Sequence, residues 1–425
     1  MRGFRILPNA PLLQQVAKGD DSSPTTVSLY PQVDFPDDPG LRELPRLFDA
    51  DWLWRAYRRQ FGKPGTDPCR MRIRQFSHNV SRIAIVSYEL EWHPDEFIPS
   101  RHFTVKIERG KPVELFRYPE DSRLPGLRTV ADPETARRPI SRHVLAMPPR
   151  RVRVALIRYR PASRAVLRHS VSRARFYARV MRLNAVAPFL KAQELVGQSS
   201  FVVPRLAGNW AEGGVVWMSE IPGKNLRRGL RQGTTPDAAL LLDGLETLWN
   251  VSPTRGTNRP FNLSRAYRRA RHSFMHNIQD SRAALRNFND ATEALDPFIR
   301  SWHPSGIAHN DFYDDQMLLL RDGRIALVDF EEVGPGDPML DVGNFLAHLQ
   351  GASHFGRKRE NDAGMAFYHV FRDAALERFR WSERELAFRE AACLFRMCTN
   401  FIRHPQLGWL DKLEAGLSLV NETLG

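Results

Sequence analysis

His309-Asn310-Asp311-Phe312-Tyr313-Asp314-Asp315-Gln316-Met317-Leu318-Leu319-Leu320-Arg321-Asp322-Gly323-Arg324-Ile325-Ala326-Leu327-Val328-Asp329-Phe330 reads as a β-hairpin set in an otherwise helical half of the chain. Asp322-Gly323 between two apolar runs is a strong short hairpin signal. A two-residue turn there places Gln316 directly across from Asp329, with Cβ atoms about 4.5–5.5 Å apart. Apolar residues fill most positions between, so the hairpin is expected to be buried, and its polar open end then needs a purpose. A hard cation supplies one: Mg²⁺ prefers oxygen ligands and takes only one or two from protein. Asp311 lies on the loop entering the hairpin, where a carboxylate can face a substrate hydroxyl. A base at 311 with metal ligands at 316 and 329 fits phosphoryl transfer. A core hairpin with water-capped ends is the plainer alternative, but it leaves the gathered acidic and amide groups unexplained.

Around this hairpin, the 425 residues suffice for two domains or one bilobed enzyme, and 42% hydrophobic with 26% charged residues is ordinary globular composition. No apolar run approaches the ~18 residues of a membrane span. The first residues, Met1-Arg2-Gly3-Phe4-Arg5-Ile6-Leu7-Pro8, carry no apolar signal-peptide core. Cys69, Cys393 and Cys398 make no CxxC pair, and a reducing cytoplasm is the expected compartment. Lys+Arg outnumber Asp+Glu by 62 to 48, a net charge of +14, from eight lysines and 54 arginines. The arginines are scattered, no nucleic-acid motif accompanies them, and nucleic acid is not the expected partner. Oligomeric state is not legible.

The expected organisation is α+β: a flexible Pro-, Ser- and Asp-rich arm (1–45), a β-rich subdomain with its connector (46–150), a nucleotide-binding lobe (151–225) and a helical lobe (226–425). The first subdomain opens with a helix over about 48–62, then strands at Arg82–Leu90 and His102–Ile107. A similar meander recurs at Ile157–Leu167 and Arg175–Val180. Setting Ser81-Arg82 over Ser163-Arg164 brings Lys106 near Arg179, a weak internal repeat. Residues 116–150 are Pro- and Arg-rich and are expected to be a connector. Later strands are expected at Phe201–Leu206 and Gly214–Ile221, and helices over about 236–250, 263–300, 361–379, 383–403 and 409–423.

His309-x-Asp311-(x)4-Gln316, with Asp329-Phe330-Glu331 after the hairpin and Gly336-Asp337-Pro338-Met339-Leu340-Asp341 beyond it, resembles the catalytic core of the aminoglycoside phosphotransferase and choline-kinase-like superfamily, relatives of the protein kinases. The resemblance is close over 303–350, looser over 151–226 and not visible before 70. It implies a bilobed protein-kinase-like fold with Asp311 as catalytic base, Gln316 and Asp329 as Mg²⁺ ligands, His309 as a structural residue and Asp341 as a brace for the catalytic loop. That family usually carries Asn where Gln316 stands. The first β-meander resembles the amino-terminal cap of maltokinase-like members.

By the same resemblance Arg179 takes the place of the usual ATP-binding lysine, with Glu194 on the following helix as its partner. The turn Arg160-Pro161-Ala162-Ser163-Arg164 has no glycine, so side chains such as Arg164 would contact the phosphates in place of backbone. Met218-Ser219-Glu220-Ile221 would form the hinge, with Glu220 and Ile221 at the adenine edge. The implied activity is an ATP- and Mg²⁺-dependent kinase acting on a hydroxyl of a sugar, amino alcohol or aminoglycoside-like molecule. Tyr313 and Asp314 would wall the acceptor site, Asp314 as an attractor for a cationic amine. Arg396 and Arg403, seven apart on one helix, argue for an anionic or sugar acceptor instead. A catalytically weak pseudokinase scaffold binding an acidic partner is the alternative. A metal-dependent hydrolase would want a second His cluster, and none stands out.

Overall fold

The computed structural model describes residues 28–30, 38–62, 66–93, 95, 101–145, 147–252, 260–356, 358–404 and 408–425. Backbone contacts divide the chain into two compact units, Met1–Glu120 with Thr399–Asp411 and Asp121–Cys398 with Lys412–Gly425. Among the described residues no helix is long and apolar enough to cross a membrane.

The first unit holds β1 (Ser28–Tyr30), α1 (Ala50–Phe61), β2 (Arg70–Asn79), β3 (Ile83–Glu91), β4 (Arg101–Glu108) and β5 (Glu114–Arg117), with the strands side by side in that order. β1 is parallel to β2 and the rest are antiparallel. Asp49 caps α1 by accepting from Trp52 N at 2.9 Å. The helix buries Leu53, Trp54 and Tyr57, and Tyr57 meets Phe103 of β4 edge-on, centroids 5.2 Å apart. Most of the expected flexible arm lies outside the described residues. Its described part is docked, with Ser28–Tyr30 paired to β2 and Leu41 and Leu44 buried.

The second unit continues with α2 (Leu127–Ala131) and α3 (Arg137–His143), so the expected connector over 116–150 carries two short helices. Then come β6 (Arg153–Arg160), β7 (Arg164–Val171), β8 (Ala174–Met181), α4 (Leu183–Val196), β9 (Leu206–Trp210) and β10 (Val215–Ser219). These strands form one sheet in the order β6-β7-β8-β10-β9. β7 alternates strictly between half-buried and buried residues, the period-2 pattern of a strand with one face on a core. The strand expected at Phe201–Leu206 begins only at Leu206, because Pro204 has no N–H to give to a ladder.

The remaining elements are β11 (Lys224–Asn225), α5 (Leu226–Leu230), α6 (Ala238–Trp249), α7 (Leu263–Asn277), α8 (Arg282–Ser301), β12 (Gly306–Ala308), β13 (Met317–Leu319), β14 (Ile325–Leu327), β15 (Gly334–Gly336), α9 (Pro338–Phe355), α10 (Lys358–Phe379), α11 (Glu383–Arg403) and α12 (Trp409–Leu424). The single helix expected over 263–300 is two, because Ser281 starts α8 afresh by capping Ala284 N at 3.1 Å. One apolar core runs from α4 through α6, the hairpin and α9 to α10, joining both lobes of this unit.

The hairpin register differs from expectation. β13 pairs with β14 as Met317↔Leu327 and Leu319↔Ile325, and Leu320 N donates to Arg324 O at 2.9 Å. The loop is therefore the three residues Arg321-Asp322-Gly323, with Gly323 left-handed at φ +82°. This form needs one left-handed residue, which glycine supplies, whereas a type I′ turn would also force Asp322 to positive φ. Asp322 instead accepts from Arg324 N at 3.1 Å. Gln316 consequently faces Val328, whose N donates to Gln316 O at 3.0 Å, and not Asp329.

The internal repeat holds, with a one-residue correction. Both meanders turn through three residues centred on a left-handed residue, Ser81 (φ +53°) and Ala162 (φ +56°). Ser81 thus corresponds to Ala162, not Ser163. Lys106 pairs with Ile85 and Arg179 with Val166, the same register place in each copy.

Candidate active site

Asp311 follows β12 on a loop held mainly by its backbone. Asn310 is left-handed (φ +65°), which asparagine tolerates better than most residues, and its amide reaches Glu332 O at 2.9 Å. A side chain at Gly336 would collide with it. Asp341, on the first turn of α9, accepts from His309 N (2.7 Å), Asn310 N (2.8 Å) and Trp249 Nε1 (3.0 Å). Burial pushes its carboxyl up to about 7, against the pull of those three donors. Asp337 caps α9 through Met339 N (3.0 Å) and also takes Trp302 Nε1 and Arg389 Nε. His309 is buried, and burial lowers its pKa, so the imidazole is neutral at pH 7.

This frame leaves the Asp311 carboxylate at the mouth of the loop. Its Oδ2 accepts from Gln316 Nε2 at 2.8 Å, and Arg396 Nη2 lies 3.9 Å from Oδ1. Gln316 Oε1 is buried with no hydrogen-bond partner. Orienting the amide nitrogen toward Asp311 leaves the amide oxygen without a hydrogen-bond partner among the described residues.

Opposite stands a wall of arginines. Register sets Arg160 across from Arg164 and Val166 across from Arg179; residues two apart on a strand share a face, so the three arginines project from the same side of the sheet. Arg179 Nη2 donates to Asp329 Oδ1 at 3.1 Å and also meets Glu331. Arg164 lies 3.9 Å from Asp329 and pairs with Glu331. Burial and the charges of Arg158 and Arg164 lower the Arg160 pKa to about 9, opposed by Asp329 and Tyr313, and the group stays charged at pH 7. Arg160 Nε and Arg179 Nε are buried N–H donors without hydrogen-bond acceptors. An unsatisfied buried donor costs about 1–3 kcal/mol, and no described residue relieves that cost at Arg160 Nε or Arg179 Nε.

Several expected residues sit elsewhere. Glu194 does not pair with Arg179; it is on the outer face of α4, bonded to Lys191 Nζ at 2.9 Å. Its expected place is taken by Glu331. Glu220 N donates to Arg175 O at 3.2 Å, and its carboxylate lies 3.4 Å from the same arginine. Ile221 is half-buried just beyond β10. Tyr313 is buried and stacked on His348, centroids 4.1 Å apart. Asp314 is no receptor for an amine. It is 2% exposed and accepts from Arg227 Nε at 3.0 Å and Nη2 at 2.8 Å.

Sequence reasoning missed Arg160, Arg227 and Glu331. Arg160 was readable in principle, since it starts the same turn that Arg164 ends. Glu331 lies two residues past Asp329, in the quoted Asp-Phe-Glu. Arg227 is far from Asp314 in sequence and carries no local signal.

Among solved structures, the chain is similar to an aminoglycoside phosphotransferase, APH(2'')-Ib, solved with ADP (12% identity, TM-score 0.42, 64% of this chain and 94% of that one). It is also similar to a spectinomycin phosphotransferase solved with ADP and spectinomycin (10% identity, TM-score 0.45, 69% and 97%). A third is an ethanolamine kinase of Plasmodium vivax (12% identity, TM-score 0.41, 63% and 82%). No curated protein matches the sequence. Residues 150–386, more than half of the chain and inclusive of the arginine wall, the Asp311 loop and the hairpin, match the phosphotransferase enzyme family, and the chain belongs to that family, with its bilobed protein-kinase-like fold.

Proposed function

We propose that the protein is an ATP- and Mg²⁺-dependent kinase that phosphorylates a hydroxyl of a small molecule. Asp311 accepts the proton of the attacking hydroxyl, held in aim by Gln316 Nε2 and by the backbone brace of Asp341. Gln316 Oε1 and the Asp329 carboxylate are both oxygen donors and suit a hard cation that fills its other positions with phosphate and water. Mg²⁺, when bound, neutralises charge on the phosphates. Arg160, Arg164 and Arg179 supply the remaining positive charge. Arg164 and Arg179 also rest on Asp329 and Glu331, which keeps half-buried charges of both signs compensated.

The observation that carries this reading is the trio of unsatisfied buried atoms, Gln316 Oε1, Arg160 Nε and Arg179 Nε. They offer one acceptor for a cation and two donors for an anion. The test is ADP formation from ATP across sugars, amino alcohols and aminoglycosides, with and without Mg²⁺, beside the Asp311→Asn variant. Mg²⁺-dependent, acceptor-dependent turnover that Asp311→Asn abolishes is expected. Mg-ATP binding without turnover on any acceptor would indicate a scaffold. No nucleotide binding at all would refute the proposal.

A further inference from the structure

The loop between β6 and β7 is Pro161-Ala162-Ser163, and its tip Ala162 is left-handed (φ +56°) and 3% exposed. A non-glycine residue in that region costs about 1–3 kcal/mol and persists only where its surroundings hold it. Asp121, itself 5% exposed, does the holding. Its Oδ2 accepts from Ala162 N at 2.7 Å and from Tyr159 Oη at 2.9 Å, and its Oδ1 from Arg123 N at 3.0 Å. Arg182 Nε secures the other side of the tip by donating to Ala162 O at 2.6 Å. Arg160 and Arg164 leave this pinned loop at its two ends, so a fixed tip fixes the origin of both arginines.

The first unit contains the same device without the arginines. Asp38 Oδ2 accepts from Ser81 N and His78 Nε2, both at 2.7 Å, and Oδ1 accepts from Gly40 N at 3.0 Å. Ser81 and His78 occupy the hairpin places of Ala162 and Tyr159. Asn79 and Ile83, however, stand where Arg160 and Arg164 do. Lys106, at the register place of Arg179, is closed off by Glu108 (2.7 Å) and Glu114 (3.3 Å) of the same sheet. One chain thus carries two Asp-pinned hairpins, one flanked by cations that reach the candidate active site and one not.

We propose that Asp121 is a positioning residue for the nucleotide phosphates. It replaces the close backbone approach of a glycine-rich loop with a rigid tip that presets Arg160 and Arg164. This rests on the nucleotide reading above. Asp38 supplies the internal control, because its loss removes an equivalent pin from a hairpin with no phosphate contacts. Asp121→Ala, Asp121→Asn, Tyr159→Phe and Asp38→Ala, each in the full chain, are compared by melting temperature and Mg-ATP titration, and by KM for ATP and for an acceptor once turnover is found. Both alanine variants should melt lower. Only Asp121→Ala should weaken Mg-ATP, by about tenfold or more, with the acceptor KM unchanged. Asp121→Asn, which retains an oxygen for Ala162 N, should recover most of that loss. Tyr159→Phe, which removes one bond and leaves the fold intact, should show a smaller loss, about two- to fivefold. Equal Mg-ATP affinity in Asp121→Ala and Asp38→Ala would overturn the positioning role, as would full affinity in Tyr159→Phe if Asp121→Ala fails to fold. A wild-type protein that binds no Mg-ATP would overturn the nucleotide reading itself.

Discussion

Asp314→Ala should destabilise the protein strongly, and the second removal, Arg227→Met, should undo most of the damage. The Asp314 side chain is 3% exposed and that of Arg227 is 23% exposed. Burial pulls the Arg227 guanidinium down, but the Asp314 carboxylate more than offsets it and leaves the pKa above the ordinary arginine value. Breaking a buried pair from one side costs about 3–5 kcal/mol. Arg227 is partly solvated and Asp315 stays 3.9 Å from its Nη1, so about 2–3 kcal/mol is the reasonable figure for Asp314→Ala. For a chain of this length that is a fall of roughly 2–3 °C in melting temperature. Arg227→Met strands the carboxylate instead, a buried charge without its partner. The double variant should lie closer to wild type than either single one, with a coupling of about 2 kcal/mol. Urea denaturation of the four proteins at pH 7 measures it. Additive losses would refute the pair as the reason Asp314 is buried. A specific loss of ammonium-bearing acceptors in Asp314→Ala, with stability unchanged, would restore the amine-receptor reading.

Three further outcomes are expected. Asp311→Asn should lower kcat by about 10²–10⁴-fold, the usual worth of a general base, and leave Mg-ATP affinity within about twofold, since a base acting on the acceptor hydroxyl does not bind the nucleotide; single-turnover kinetics with nucleotide titration checks both, and wild-type turnover would remove Asp311 from the mechanism. Arg179→Ala should weaken Mg-ATP by about 10–100-fold, from about 1.5–3 kcal/mol for a charged hydrogen bond, with Arg179→Lys recovering part of the loss as a point charge; an unchanged KM for ATP would assign the phosphates to other cations. Glu390, 2% exposed, has its carboxyl pushed up to about 8 by burial, against Tyr368 and Arg372. Because the folded value is raised, its contribution is fully present below about pH 4.5 and is lost as pH climbs to about 8. Glu390→Gln should therefore gain on wild type across that window, by about 5 kcal/mol at most, and parallel melting profiles from pH 5 to 9 would contradict it.

Local pattern carried the sequence reading a long way. The meander read at Ile157–Leu167 and Arg175–Val180 falls on the strands Arg153–Arg160, Arg164–Val171 and Ala174–Met181, because alternation and turn residues mark strands directly. The helix expected over 383–403 is Glu383–Arg403. The failures share another cause. The hairpin register turned on whether one or two loop residues are left-handed, which Asp-Gly alone does not decide. Glu194 failed on helix phase: α4 buries Val186, Phe189, Ala192 and Leu195, and that set leaves Glu194 outward. Asp314 and Asp121 are defined by partners distant in sequence, Arg227 and Ala162, and no periodicity reports such a pairing.

The arginine at position 179, where the resemblance implies a lysine, becomes intelligible once Glu194 is seen to point away. A lysine at this place would present a compact ammonium on a flexible stem, without a planar fork. Here the carboxylates are Asp329 and Glu331, two residues apart on the segment after β14, and Arg179 Nη2 contacts both. A planar guanidinium can serve two acceptors and still keep Nε as a further donor, and Arg179 Nε is the one left unsatisfied. Its carbon centre also lies 5.1 Å over the Phe189 ring, a stacking contact that fixes the fork's plane. Arg179, Glu331 and the outward Glu194 thus form one consistent set: the cation at this position takes its counter-charge from the hairpin rather than from α4. Restoring lysine alone should not restore the helix pairing, because Glu194 lies on the wrong face of α4 to receive it.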